Sequence, residues 1–267
     1  MRLISLCPSN TELIAYLNLT NSLVAVDDFS DWPEEVNELP RLGPDLSIDM
    51  DKVEAFQPDL VLASLSVPGM EKNIEELERR GLSFITFNPQ SLEDIQENLK
   101  KLGSITNRED RANEVVHSFQ TMVTAYEKLA QRVEPVSLYW EWWPKPVFTP
   151  GGPNWLTKIS QLAGGYNIFQ HEQKASIKTD WDTIRDKNPD HVCLAWVGVR
   201  TEQVKPKVLY KRPGWSELEA LNKNLVHILE EPLYCRPSPR LMLGLKKLAY
   251  LLHPTIYPKN DDTDPLL

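Results

Sequence analysis

The stretch "TNREDRANEVVHSFQTMVTAYEKLAQRVEP", residues 106–135, decides the fold because it interrupts an otherwise regular pattern. It has no glycine or proline from Asn107 to Val133, and its apolar residues recur at helical spacing. Thr106 followed by Glu109 has the spacing of a capping box, and Pro135 ends the run. We predict one helix over residues 106–132, about 37 Å long. It is either an ordinary surface helix or a rigid strut between two lobes.

Short apolar runs alternate with longer amphipathic stretches on both sides of this helix, as in α/β proteins with largely parallel sheets. The first half has predicted strands at 3–6, 23–27, 60–64 and 83–88, with helices that include 70–81 and 91–103. The second half has predicted strands at 136–142, 191–197 and 225–230, and a last helix at 238–252. We predict two Rossmann-like lobes, 1–104 and 134–257, joined by a linking helix at 105–133 and followed by a flexible tail at 258–267.

The net charge and the first residues of the sequence limit the classes of protein that we expect. The 38 acidic and 29 basic residues give a net charge of −9, which makes a nucleic-acid groove or an anionic-membrane patch unexpected. No apolar run approaches the roughly 20 residues that a membrane-spanning helix needs. The sequence begins without a signal-peptide pattern, so we predict a cytoplasmic protein, or a periplasmic or extracellular one if a signal segment was removed. Cys7, Cys193 and Cys235 are predicted to be reduced thiols, which suits the cytosol.

Aromatic residues gather where predicted strands end, above all in "LYWEWWPKPVFTPGG", residues 138–152. Open α/β sheets bind ligands beyond the carboxyl ends of their strands. The candidate binding residues at these ends in the first half are Ser9 and Asn10, which can cap the next helix, then Phe29, Trp32 and Ser64. Those in the second half are Trp142, Trp143, Phe148, Trp196, Tyr234 and Arg236. We predict an aromatic cleft between two lobes for a large, flat, mostly neutral ligand, with core packing equally open for any single tryptophan.

Catalytic motifs are missing from the sequence. It contains no G-x-S-x-G, no G-x-G-x-x-G after a strand, no P-loop and no H-E-x-x-H. The five histidines are scattered, and none has a neighbour at metal-ligand spacing. "PGGPN" at 150–154 could cradle a phosphate, although a plain β-to-α turn capped by Asn154 is favoured. We therefore predict a protein that is not an enzyme and holds no catalytic cofactor or metal.

Six segments, taken in order, resemble one known family over residues 2 to about 257. They are "RLISLCPSNTELIAYL", "DFSDWPEEVNELPRLG", "MDKVEAFQPDLVLAS", "FTPGG...LAGGYNIF", "KNPDHVCLAW" and "RPSPRLMLGLKKLAYLLHP". The chain resembles the substrate-binding proteins of cobalamin and iron-siderophore ABC importers, and most of all the cobalamin binders. The resemblance implies a monomer of two α/β lobes on one long helix, closing slightly on a ligand, and an ABC permease as partner.

The resemblance also assigns positions. Trp142 and Phe148 fall where the family presents aromatic residues, and Arg236 falls on its cleft arginine. Ser64 and Ser176 stand where tryptophans would be expected, which departs from the pattern. Glu71 and Asp182 fall on the carboxylates that dock the permease, although both also suit an ordinary first helical turn.

These observations predict non-catalytic binding of cobalamin, for ABC-type uptake or for handling inside the cell. The protein is expected to bind no nucleic acid and not to be integral to a membrane. Two alternatives stay open. One is a ferric siderophore-binding protein of the same fold, which would ask for several convergent cations. The other is a transferase that acts on a nucleotide-linked substrate.

Overall fold

The computed structural model describes all 267 residues, which form two compact units. The first unit comprises Met1–Phe119, Pro237–Pro239 and Leu266–Leu267. The second comprises Gln120–Arg236 and Arg240–Pro265. The first unit therefore draws on three separate stretches of the chain.

The first unit contains a four-stranded parallel sheet in the order β2-β1-β3-β4. Its strands are β1 (Leu3–Ser5), β2 (Leu23–Val26), β3 (Leu60–Ser64) and β4 (Phe84–Phe87). Its helices are α1 (Pro8–Tyr16), α2 (Met50–Ala55), α3 (Glu71–Arg79) and α4 (Leu92–Ile105). The sheet is buried, with Ile4, Ala25 and Val61 completely inaccessible, which explains why its strands are short continuous apolar runs.

The long helix is confirmed as α5 (Glu109–Ala130), which begins in the first unit and ends in the second. Its predicted capping box is wrong, because Thr106 follows α4 and donates its hydroxyl to the carbonyl of Leu102 at 2.7 Å. Helix α4 also runs to Ile105 instead of ending at Gly103. A side chain on Gly103 would meet the Cβ of Ala112 at 2.6 Å, so this glycine permits close packing of α4 and α5.

The second unit has a parallel sheet in the order β11-β10-β5-β8 and a separate antiparallel sheet in the order β6-β7-β9. The strands are β5 (Val136–Glu141), β6 (Trp143–Pro144), β7 (Val147–Pro150), β8 (Gly165–Asn167), β9 (Ser176–Thr179), β10 (His191–Leu194) and β11 (Val226–Ile228). The helices are α6 (Trp155–Leu162), α7 (Trp181–Lys187), α8 (Glu219–Asn222), α9 (Glu231–Tyr234) and α10 (Leu241–Leu252). The α/β class with mainly parallel sheets in two lobes is confirmed, and the small antiparallel sheet is an addition to it.

The tail after Tyr257 contacts the last helix at a few points, and its predicted flexibility over 258–267 stays a prediction. Lys246 on α10 pairs with Asp261, and Lys247 lies 3.1 Å from Asp262. Leu266 is only 4% exposed. Two acidic residues of the tail, Asp261 and Asp262, thus meet lysines of the last helix. None of the helices combines the length and apolar character that crossing a bilayer would require.

Candidate functional site

The carboxyl edge of the parallel sheet in the second unit presents two exposed aromatic side chains. Strand β5 ends at Glu141, and β6 and β7 then form a hairpin in which Trp143 pairs with Phe148. Trp143 is 42% exposed and Phe148 is 36% exposed. The hairpin therefore exposes two large aromatic rings to solvent in a fixed register. It does so at the kind of edge where α/β sheets bind ligands.

The neighbouring tryptophans have different surroundings. Trp140 is completely buried, donates its indole N–H to the hydroxyl of Ser160 at 2.9 Å, and is core. Trp142 is half-buried, with its ring 6.2 Å from that of Trp155. The indole N–H of Trp142 is buried without a hydrogen-bond partner. A buried donor without an acceptor is costly, so the indole N–H of Trp142 lowers the stability of this edge.

Trp196 is held at the same edge by a network that sequence reasoning missed. Its indole N–H donates to the carboxylate of Glu141 at 3.1 Å, and the hydroxyl of Tyr139 donates to the same carboxylate at 2.7 Å. Arg212 forms a bidentate ion pair with Glu141, and its guanidinium lies 4.4 Å from the ring of Trp215. Burial and the neighbouring Glu141 raise the pKa of Tyr139 well above its usual value, so the phenol stays a donor. The signal in the sequence was an acidic residue inside the apolar run "LYWEWW".

Tyr234 and Arg236 are less available than predicted. Tyr234 is completely buried, donates its hydroxyl to the carbonyl of Gly244 at 2.9 Å, and packs against Trp140. Arg236 is 8% exposed and forms an ion pair of 3.2 Å with Glu231. The structure thus places Tyr234 in the core and gives the positive charge of Arg236 an acidic partner.

At the carboxyl edge of the first unit, Ser9 and Asn10 do not cap α1 as predicted. Pro8 occupies the first turn, which it favours, so Cys7 takes the N-cap position without a side-chain bond. The amide of Asn10 donates to the carbonyl of Ala63 at 2.9 Å and ties α1 to β3. Ser9 is 6% exposed. Burial raises the pKa of Cys7 to about 12, so this thiol is unreactive at neutral pH.

Phe29 and Trp32 follow β2 on a loop that is fixed by hydrogen bonds. Phe29 is 46% exposed, and its backbone N–H donates to the carboxylate of Asp27 at 2.8 Å. Trp32 is half-buried, with its ring 5.4 Å from that of Tyr16.

The two serines named where tryptophans were expected differ in accessibility. Ser64, at the end of β3, is 4% exposed and lies 2.8 Å from the hydroxyl of Ser66. Ser176 begins β9 and is exposed. The carboxyl edge of the first unit therefore offers one exposed aromatic ring, Phe29, beside small hydroxyl side chains.

The two acidic residues named as docking candidates are exposed. Glu71 begins α3 and accepts a hydrogen bond from the backbone N–H of Gly69 at 2.7 Å. Asp182 lies in the first turn of α7 and accepts from Arg185 at 2.7 Å. Each carboxylate lies in the first turn of a helix, where a negative charge stabilises the helix dipole. Their geometry therefore also fits a role in helix stability alone.

The "PGGPN" turn has no room for a phosphate. A Cβ on Gly151 would lie 2.0 Å from the carbonyl oxygen of Lys174, and one on Gly152 would lie 2.6 Å from that of Gln170. Asn154 caps α6 as predicted, accepting from the N–H of Leu156 at 2.9 Å. The turn is a packed β-to-α connection. The structure also contains no group of three or more side chains suited to holding a metal ion.

Comparison with known proteins identifies the family. A family model described as periplasmic binding protein matches residues 3–233. The chain belongs to the periplasmic binding protein family. It is 28% identical to the uncharacterized ABC transporter substrate-binding lipoprotein YvrC of Bacillus subtilis, over 96% of this chain and 81% of the relative. It is 26% identical to the vitamin B12-binding protein of Vibrio parahaemolyticus, over 90% of this chain and 85% of the relative.

A solved structure supports the fold. The crystal structure of a periplasmic heme binding protein from Pseudomonas aeruginosa superposes with a TM-score of 0.84 and 22% identity, covering 99% of this chain and 96% of that one. The resemblance stated from the sequence is thereby confirmed at the level of family and fold. The prediction of a cytoplasmic protein is wrong, because the family is periplasmic and the Bacillus relative is a lipoprotein. That prediction rested on the first residues of the sequence, which do not report where the protein works.

Proposed function

We propose that this chain is the non-catalytic substrate-binding protein of an ABC importer and that its ligand is a cobalamin-type corrinoid. The observation that carries the proposal is the exposed Trp143–Phe148 pair beside the half-buried Trp142, at the carboxyl edge of the second unit. Two relatives support it, one described as an ABC transporter substrate-binding lipoprotein and one as a vitamin B12-binding protein.

The aromatic side chains suit a flat macrocycle rimmed by amides. Exposed rings held by a hairpin lose little conformational entropy when they pack against a planar ligand. In the first unit, Phe29 offers a further exposed ring after β2.

The charges at the second unit's edge favour a corrinoid over a ferric siderophore. A catecholate siderophore is strongly anionic and requires several convergent cations with charge to spare. Arg212 is already paired with Glu141, and Arg236 is paired with Glu231. These two guanidinium groups are therefore neutralised within the protein, whereas a neutral or weakly charged ligand needs no such cations.

An importer also requires a permease partner. We infer that Glu71 in the first unit and Asp182 in the second are contact points for arginines of that permease. Both carboxylates are exposed, and the sequence resemblance implies a docking role for these positions. Asp182 is one methylene shorter than a glutamate and already bonds Arg185, so its contact is expected to be the weaker one.

Titration of the purified chain with cyanocobalamin tests the ligand. We expect saturable binding in the micromolar range or tighter, by tryptophan fluorescence corrected for corrinoid absorbance and by calorimetry. The double variant Trp143→Ala/Phe148→Ala should weaken binding at least about tenfold, because two exposed contact rings are lost. Tyr166→Ala is the matched control, since Tyr166 is a 37% exposed aromatic on β8.

Hemin and a ferric catecholate serve as comparison ligands in the same titration. No saturable response to cyanocobalamin at high micromolar concentration would reject the corrinoid. Tighter binding of the catecholate, with loss of that binding in Arg236→Ala, would favour the siderophore function instead.

A further inference from the structure

Residues 200–211, "RTEQVKPKVLYK", form a basic segment on the second unit of an otherwise acidic protein. The segment contains four cations and one acidic residue, Glu202, whereas the whole chain carries a net charge of −9. The cations are Arg200, Lys205, Lys207 and Lys211. All four cations are exposed. None of them forms an ion pair with a carboxylate; the ammonium of Lys205 donates to the backbone carbonyl of Glu202 at 2.9 Å.

The helical geometry of this segment separates an anchored face from two exposed ones. Residues Pro206–Lys211 form a 3₁₀ helix, in which side chains three apart lie one above the other. Pro206 and Leu209 make up the anchored column, and Leu209 is completely buried. The remaining columns each combine one lysine with one apolar side chain. They pair Lys207 with Tyr210 and Val208 with Lys211.

The two apolar members of these columns are accessible. Tyr210 is 48% exposed and Val208 is 37% exposed. The hydroxyl of Tyr210 donates to the carbonyl of Leu221 at 3.3 Å, which fixes the ring while leaving much of its surface in solvent. Val204 is 4% exposed, and Arg212 is held by Glu141, so both ends of the helix are tied to the core. The segment presents cations and apolar groups on a supported surface.

We propose that the basic segment is a docking surface for an anionic lipid bilayer, which the net charge of the whole chain did not predict because it averages over this local cluster. Lysines near such a surface are attracted to its anionic headgroups, and tyrosine and aliphatic side chains favour the bilayer interface. Acidic charges more than a Debye length away, about 8 Å at physiological salt, are screened and do not cancel this attraction. With four cations and two partly exposed apolar side chains, the contact should be weak and reversible.

The segment follows the candidate ligand edge directly. The backbone N–H of Val197 donates to the carbonyl of Trp142 at 3.1 Å, and Arg200 comes three residues later in the chain. Bilayer contact through this segment would therefore hold the carboxyl edge of the second unit close to the membrane. The inference does not depend on the identity of the ligand.

Vesicle sedimentation with the full chain tests the inference. Vesicles of phosphatidylcholine alone should bind little protein, whereas an equimolar mixture with phosphatidylglycerol should bind a measurable fraction. Binding should be lost at about 1 M sodium chloride, where the Debye length falls to about 3 Å. The charge-reversal variant Lys205→Glu/Lys207→Glu/Lys211→Glu should weaken vesicle binding at least about tenfold.

The matched control is Lys100→Glu/Lys101→Glu/Lys128→Glu, which makes the same charge change at three exposed lysines of α4 and α5. It should bind mixed vesicles like the unaltered protein, and Val208→Ser/Tyr210→Ser should bind more weakly. Equal weakening by both triple variants, or no binding to mixed vesicles, would overturn the proposal. Binding to polyglutamate but not to vesicles would overturn it too, and would indicate an acidic protein partner. Circular dichroism and the cyanocobalamin titration of each variant separate loss of folding or of ligand binding from loss of lipid contact.

Discussion

Arg212 donates two hydrogen bonds, of 2.6 and 2.8 Å, to the carboxylate of Glu141, which has no exposed surface. The pair joins the residue that follows the basic segment to the end of β5. Tyr139 and Trp196 donate to the same carboxylate, so its oxygens are fully hydrogen-bonded. A buried charge pair with this many partners fixes the position of Trp196 at the candidate ligand edge.

Arg212→Met should be strongly destabilising. It removes the cation and leaves the carboxylate of Glu141 buried, which typically costs about 3–5 kcal/mol. Urea unfolding followed by circular dichroism measures the loss. The control is Arg79→Met, which breaks an exposed pair with Glu76 and should cost under about 1 kcal/mol. Equal effects of the two variants would contradict the inferred importance of the buried pair.

Trp142→Phe and Trp140→Phe should differ although the chemical change is the same. Trp140 loses a hydrogen bond to Ser160 and leaves a void in the core, at a cost of about 2–4 kcal/mol. Trp142→Phe also removes part of the indole ring, but this side chain is half-buried and its N–H has no partner, so the cost should stay under about 1 kcal/mol. Thermal unfolding of the ligand-free variants compares them. A larger loss at Trp142 would show that its N–H has a partner in solution.

Gly103→Ala should destabilise the protein even though alanine favours helices more than glycine does. The new methyl group would lie 2.6 Å from the Cβ of Ala112 and 3.1 Å from the carbonyl oxygen of Arg108. Separating α4 from α5 to relieve this overlap should cost about 1–3 kcal/mol. Ala112→Gly added to Gly103→Ala should restore part of the stability, as measured in a double-mutant cycle. Additive losses would rule out this contact as the cause.

Stability should fall as the pH drops from 6.5 toward 4, because of a histidine pair in the second unit. Nδ1 of His191 lies 2.8 Å from Nε2 of His227, and the rings stack at 5.1 Å. Burial, and secondarily His191, lowers the pKa of His227 to about 4, and burial also lowers the pKa of His191 despite neighbouring Asp190. Both rings are favoured in the neutral form when folded, so the unfolded chain binds more protons below pH 6.5.

Denaturant unfolding as a function of pH measures this dependence. His227 should account for about 2 kcal/mol of the loss after allowance for solvent screening of a partly exposed ring. His227→Gln, which can still hydrogen-bond His191, should flatten the profile between these pH values. His171→Asn, at an exposed histidine, should leave the profile unchanged. An unchanged slope in His227→Gln would place the pH sensitivity elsewhere.

The fold could be predicted from the sequence because its signals are local. Apolar runs marked the buried parallel strands, and the long stretch without glycine or proline marked α5. The ends of the helices were less predictable. Glycine often ends a helix, but α4 continues past Gly103, and the structure uses this glycine for close packing against Ala112. Thr106 likewise fits a cap for either neighbouring helix, and only the fold assigns it to α4.

The candidate site could be predicted in part. Position at strand ends selected Trp142, Trp143, Phe148 and Trp196, which stay predictions, but the same rule also included Tyr234, which is core. Aromatic residues serve both uses, and the sequence does not report which neighbour covers a ring. Arg212 was missed because its partner Glu141 lies 71 residues away in the chain, and no local pattern links them.

The first unit includes Pro237–Pro239, and there the hydroxyl of Ser238 donates to the buried carboxylate of Glu12 on α1. Arg111 likewise donates to the carbonyls of Tyr16 and of Leu266, the next-to-last residue. The amino-terminal half is thus completed by residues that the ribosome adds long after that half has been made. A gene fragment that stops within α5 would encode a truncated half lacking its own closing contacts, so the two halves are not cassettes that can be excised and exchanged.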